Sequence, residues 1–150
     1  MFFALFASCV ALASAQTLPN ETWGYVDVRT GAHIFWWFYR ANAPDAEILP
    51  TVLWLQGGPG ASSTGYGNFA EMGPLDWYLN ARNSTWLNAP VNLLFVDSPV
   101  GAGYSYVDDP KTQLPTTNAA IGKDLVAVIT AFMTALPSTA AAPFYVFTES

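Results

Sequence analysis

The chain has 150 residues, 52% of them hydrophobic and only 11% charged, which excludes a disordered polypeptide and supplies enough apolar surface for a core. Its formal net charge is −6, and the five basic residues (Arg29, Arg40, Arg82, Lys111, Lys123) are scattered with no stripe. A nucleic-acid partner needs clustered Lys and Arg, so that class is excluded.

The first segment reads as a leader. Phe2 to Leu12 is almost wholly apolar, and Ala13-Ser14-Ala15 has the small-x-small form of a cleavage site before Gln16. The run is too short to span a bilayer, so a secretory signal peptide over 1–15 is expected, with no membrane anchor. Cys9, the one cysteine, lies inside it, leaving the mature chain from Gln16 without a thiol or disulfide of its own. Asn20-Glu21-Thr22 and Asn83-Ser84-Thr85 are N-x-[ST] sequons. Behind a signal peptide, Asn20 and Asn83 become candidate glycosylation sites on surface loops.

Trp23 to Arg29 alternates apolar and polar residues, Thr30-Gly31 reads as a turn, and His33 to Arg40 is apolar on both faces. This predicts an antiparallel hairpin whose second strand is covered on both sides. Ala43 to Glu47 is a polar, proline-containing loop. Three short apolar runs follow: Thr51 to Leu55, Asn92 to Val96 and Phe144 to Phe147. Bounded by turn signals, they read as buried strands of a mostly parallel sheet. Between the last two, Ile121, Leu125, Val128 and Phe132 recur at helical spacing, with Thr117 or Asn118 as cap and Pro137 as terminator. Strand, crossover helix and strand form a βαβ unit. The fold class is therefore α/β, a sheet entered through antiparallel strands.

Four elements carry candidate chemistry. Gln56-Gly57-Gly58-Pro59-Gly60-Ala61-Ser62-Ser63 directly follows a strand, and consecutive glycines there expose N–H groups to an anion or oxyanion. It lacks the Gly-Lys-Ser/Thr of a P-loop, and Ser63 stands where a dinucleotide fingerprint needs its third glycine. A plain structural turn remains open on this loop alone. Phe69-Ala70-Glu71-Met72-Gly73-Pro74 offers one acid, which by itself reads as solvated. Asp97 to Tyr106 (DSPVGAGYSY) is a long loop after a buried strand, read as structural, with Gly101 and Gly103 setting unusual backbone angles. Finally, a strand ends in Thr148-Glu149-Ser150, the place where an α/β-hydrolase carries its nucleophile on a strained turn.

In this order and spacing, WLQGGPGASS, FAEMGP, FVDSPVGAGYSY and FYVFTES resemble the serine carboxypeptidase family, within it the retinoid-inducible and vitellogenic-type branch, which also has Gln before the Gly-Gly. The resemblance covers Trp23 to Ser150 and implies the N-terminal part, roughly the first third, of an α/β-hydrolase domain. It implies a serine-type carboxypeptidase acting on peptides with a free C-terminus at acidic pH, without cofactor or metal. Ser150 falls on the nucleophile and the Gly58 N–H on an oxyanion-hole donor. Gln56, Gly57, Glu71 and Glu149 fall on the set that binds the substrate carboxylate. An amide and an N–H can donate to a carboxylate directly, whereas a glutamic acid donates only when protonated, so binding should weaken as pH rises. The triad Asp and His would follow the serine, so a chain of these residues alone is expected to be inactive. His33, the one histidine, reads as structural.

Two departures stand out. Thr148 occupies a position that is usually Gly two before the nucleophile, and Ala61 replaces a frequent disulfide Cys. The alternatives are a carboxypeptidase-like acyltransferase, against which the carboxylate-binding set argues, and a non-catalytic secreted binding module, which Thr148 favours. The expected destination is the secretory pathway, extracellular or lysosome/vacuole-like.

Overall fold

The computed structural model describes residues 17–18 and 21–150. The leader, Cys9 and the sequon asparagine Asn20 lie outside the described residues. The hairpin forms as expected: β2 (Glu21–Arg29) pairs antiparallel with β3 (Ala32–Tyr39), and short β1 (Thr17–Leu18) pairs with β2. Gly31 takes a φ of 68° in the turn, a conformation that costs glycine little. β4 (Thr51–Leu55), β5 (Asn92–Val96), β6 (Tyr106–Val107) and β7 (Phe144–Thr148) complete one sheet. Its order is β1-β2-β3-β5-β4-β7, with β6 added beside β3. β3 meets β5 antiparallel, whereas β5, β4 and β7 run parallel.

The central strands are apolar on both faces because both faces are covered. Ile34, Trp36 and Phe38 of β3, Leu53 of β4, and Leu94 and Val96 of β5 join Val128 and Phe132 in one core. The alternate residues Tyr39, Val52, Trp54, Leu93 and Phe95 form a second core on the other face with Met72. Period-two alternation places successive side chains on opposite faces, so these strands feed both cores. Burial on the second face pushes the Tyr39 phenol well above its ordinary value, although Asn68 Nδ2 donates to its oxygen at 2.9 Å.

The crossover helix, Asn118–Ala135, begins where Thr117 accepts the Ala120 N–H on its side chain, an N-cap bond. Phe132 packs its ring against Trp36 and Phe38 at centroid distances of 5.5 and 5.1 Å. Buried Asp124 pairs with Arg29 Nε at 3.1 Å, and Arg29 Nη2 also donates to the Gln113 carbonyl, which ties the helix to β2.

The βαβ unit forms across an intervening strand, since β4 lies between β5 and β7. One expectation needs correction: β7 is not buried. Tyr145, Val146 and Phe147 are exposed, because among the described residues β7 pairs on one side only, with β4.

Phe132→Ala is expected to lower stability by about 3–5 kcal/mol, the usual cost of removing a buried ring. Val126→Ala, on the exposed side of the same helix, should stay within about 0.5 kcal/mol. Urea denaturation of both variants measures the difference.

Candidate active site

The glycine loop, the Asp97 loop and the Glu149-Ser150 segment leave the same end of the sheet, because they follow the parallel strands β4, β5 and β7. β4 and β7 are in parallel register, with Leu55 opposite Thr148, so the residues that follow each strand emerge side by side. The Glu149 N–H makes the last ladder bond, to the Leu55 carbonyl at 3.3 Å. Gly57 then lies directly against the other chain. A Cβ there would run into the Glu149 carbonyl oxygen and the Ser150 Cβ, so only glycine permits this approach. Ser150 has φ 70°, in the left-handed region that non-glycine residues enter at a cost of about 1–3 kcal/mol. Thr148 is the last residue of β7 and keeps its place opposite Leu55, so a side chain at this position fits the strand.

Ser150 faces a cleft of about 150 Å³ lined also by Gln56, Gly57, Pro59, Ser98, Pro99 and Thr148. Gly58 stands between two of these lining residues at φ 121°, with open space where a Cβ would be.

Gln56 is the hub of the polar groups. Trp54 Nε1–H donates to its Oε1 at 2.9 Å, which fixes the amide so that the NH₂ points the other way. That Nε2 donates to Glu149 Oε2 at 3.1 Å and, at a longer 3.4 Å, to Glu71 Oε1. Glu71 Oε2 is buried and has no partner among the described residues. Gln56, Glu71 and Glu149 are 15 and 93 residues apart from the glutamine's position, yet converge on one amide. Gly67 makes room, since a Cβ there would press on Trp54 and on Gln56 Oε1.

Glu71 arrives on a π-helical segment, Ser63–Met72, where the sequence alone showed a loop acid. Its start is anchored by the third loop. Asp97, fully buried, accepts from Thr64 N (2.9 Å), Thr64 Oγ1 (2.7 Å), Ser62 Oγ (3.0 Å) and Tyr104 N (2.9 Å). Ser63 Oγ in turn accepts the Gln56 N–H at 2.9 Å. Gly101 and Gly103 have φ of 96° and 52°, as expected. A Cβ on Gly103 would collide with the Asp97 carboxylate and Ser62 Oγ, so this glycine clears the carboxylate's surroundings.

Asp97 and Trp54 were missed as site residues. An aspartate directly after an unbroken apolar strand was the available signal. Asn83 is exposed on a loop beside Arg82. Nearby, Asp76 closes a tight turn, and the Asn80 backbone N–H, first among its donors, holds its carboxyl below the ordinary value. His33 lies elsewhere: it contacts Asp27 at 2.6 Å and stacks on Tyr106.

Residues 14–150 match the serine carboxypeptidase family model. The retinoid-inducible serine carboxypeptidase of Mus musculus is 47% identical over 133 residues, covering 87% of this chain and 29% of that protein. Serine carboxypeptidase-like 51 of Arabidopsis thaliana is 58% identical over 99 residues, 63% of this chain and 21% of that protein. The crystal structure of Kex1(delta)p, a prohormone-processing carboxypeptidase from Saccharomyces cerevisiae, superposes with a TM-score of 0.74 at 20% identity, covering 87% of this chain and 31% of that one. The chain thus spans under a third of the length of these relatives.

Asp97→Asn should cost about 2–3 kcal/mol, because an amide turns a donor toward groups that are themselves donors. Urea unfolding of wild type and variant measures it, and a loss below about 1 kcal/mol would remove Asp97 from this role. By sequence, the chain belongs to the serine carboxypeptidase family.

Proposed function

We propose that this chain forms the nucleophile-bearing and carboxylate-binding part of a serine carboxypeptidase that releases single residues from the C-terminus of peptides. The observation that carries the reading is the Gln56 amide, locked by Trp54 with its NH₂ toward Glu71 and Glu149, beside Ser150 in its left-handed conformation.

The chemistry follows from the donor set. A substrate carboxylate needs donors: the Gly57 N–H supplies one, and Gln56 Nε2 supplies another by turning one of its two hydrogens away from Glu71, to which its bond is the longer at 3.4 Å. A glutamic acid adds a donor only in its protonated form, and the acidic working pH is taken from the family resemblance. Glu71 Oε2, buried without a partner, is the position where such a ligand would complete the hydrogen bonding.

With the carboxylate anchored there, the preceding peptide carbonyl falls at Ser150. Its Oγ adds to the carbonyl carbon and gives up its proton to a base. The C–N bond then breaks, the amine departs with a proton, and an ester to Ser150 remains for water to hydrolyse. The Gly58 N–H is one donor to the oxyanion. His33 is engaged with Asp27 and Tyr106, so the base and its acid partner come from the part of the family fold that this chain does not span.

The apolar segment 2–12 supports a secretory route to an extracellular or lysosome-like compartment, with Asn83 as an exposed glycan acceptor.

A fluorophosphonate probe at about pH 5, applied to the protein at the full length its gene encodes, is expected to label Ser150 and to lose that label in Ser150→Ala. A folded protein that stays unlabelled would refute the nucleophile assignment.

A further inference from the structure

The carboxylate-reading set contains a weakly held member. Among the described residues the Glu71 carboxyl receives one long hydrogen bond, 3.4 Å from Gln56, and its other oxygen has none. Where this carboxyl sits is therefore set by the backbone beneath it. That backbone is the C-terminal turn of the π-helical segment, and its last carbonyls have lost their in-helix partners.

The reasons can be followed residue by residue. Five residues beyond Phe69 is Pro74, which has no N–H to give. The Gly73 N–H is already committed to the Asn68 carbonyl at 2.9 Å. Five beyond Glu71 is Asp76, whose N–H turns instead to the Asn80 carbonyl. The Phe69, Glu71 and Met72 carbonyls therefore need donors from elsewhere, since an unmet backbone acceptor is costly when partly buried.

The segment 82–85 supplies all three. Arg82 Nη1 donates to the Phe69 carbonyl at 2.8 Å and Nη2 to the Glu71 carbonyl at 2.7 Å. Thr85 Oγ1 donates to the Met72 carbonyl at 2.9 Å. The backbone that carries the guanidinium is itself held, because the Arg82 main-chain N–H donates to the Pro74 carbonyl at 2.9 Å and Leu75 bridges Ala81 across the loop. A planar two-pronged donor spans two carbonyls at a fixed separation, and a lysine ammonium cannot reproduce that.

We propose that Arg82 is the positioning residue for Glu71: its fork on the Phe69 and Glu71 carbonyls sets where the Glu71 carboxyl meets the terminal carboxylate of the substrate. This inference rests on the carboxypeptidase reading above. Arg82 touches no substrate and acts through Glu71 alone. It therefore sharpens the preference for a free C-terminal acid and leaves the chemistry at Ser150 intact.

The test uses the protein at the full length its gene encodes, with two substrates: a blocked peptide with a free C-terminal acid, and an ester of the same acyl group that has no carboxylate. In Arg82→Ala, KM for the acid is expected to rise roughly tenfold with kcat nearly unchanged, the size of one lost charge-assisted contact. Turnover of the ester, which does not use Glu71, should stay within about twofold and serves as the folding control. Arg82→Lys should behave like Arg82→Ala, because the charge survives and the fork does not. In a Glu71→Gln background, Arg82→Ala should add less than about twofold to KM.

Equal losses on acid and ester would make Arg82 merely structural and overturn the proposal. So would full rescue by Arg82→Lys, or additive effects with Glu71→Gln. Wild-type protein that turns over the ester and shows no preference for the acid would instead overturn the carboxypeptidase reading, and the Arg82 inference with it.

Discussion

Asp97 is the constraint on which the site depends. It sits at the end of β5, fully buried, and its contacts come from neutral donors on two loops: Ser62 and Thr64 on one side, Tyr104 on the other. A buried carboxylate is tolerable only when hydrogen-bonded. The cost of leaving it unmet obliges both loops to return to the same point. The glycine loop is thereby closed, because Ser63 next to these donors accepts the Gln56 N–H and fixes where that residue leaves β4. The π-helical segment starts from the same anchor, and it carries Glu71 back to Gln56. One buried acid thus sets where Gln56 and Glu71 stand relative to each other.

The sheet makes the convergence possible. β4 and β7 are parallel neighbours, so their C-terminal ends and the residues beyond them lie at one edge, where α/β sheets place their sites. The connection from β5 to β7 passes over β4, which inserts the Gln56 loop between the Asp97 loop and Ser150. The two apolar faces hold this frame, one under the crossover helix through Phe132, the other under Met72. Gly57 then allows the closest backbone approach in the site, against Glu149 and Ser150.

Much of this could be read from the sequence because it is local. The hairpin, the three apolar runs and the helix each carry their own periodicity and turn signals. The Thr51–Leu55 and Asn92–Val96 strands match the structure residue for residue. What escaped was set by distance along the chain. β4 between β5 and β7 is a pairing choice that no periodicity records. The exposure of β7 reflects its single neighbour among the described residues, not its composition. Glu71 looked like a solvated acid because nothing near it in sequence pairs with it, and its partner is 15 residues away. Arg82 was one of five scattered cations until its contacts with the Phe69 and Glu71 carbonyls were visible. The family motifs brought Gln56, Gly57, Glu71, Glu149 and Ser150 together on paper, and the structure brings them into contact or close to it.

The central claim is that these residues read a terminal carboxylate next to a serine nucleophile. The most direct measurement is a crystal structure of the full-length protein with a released amino acid, the product, bound at about pH 5. The account predicts the product carboxylate within hydrogen-bonding distance of Gln56 Nε2 and the Gly57 N–H, with Glu71 Oε2 as a further partner and the amino group toward Ser150 Oγ. A product bound with its carboxylate away from Gln56, or no product at this cleft at saturating concentration, would contradict it.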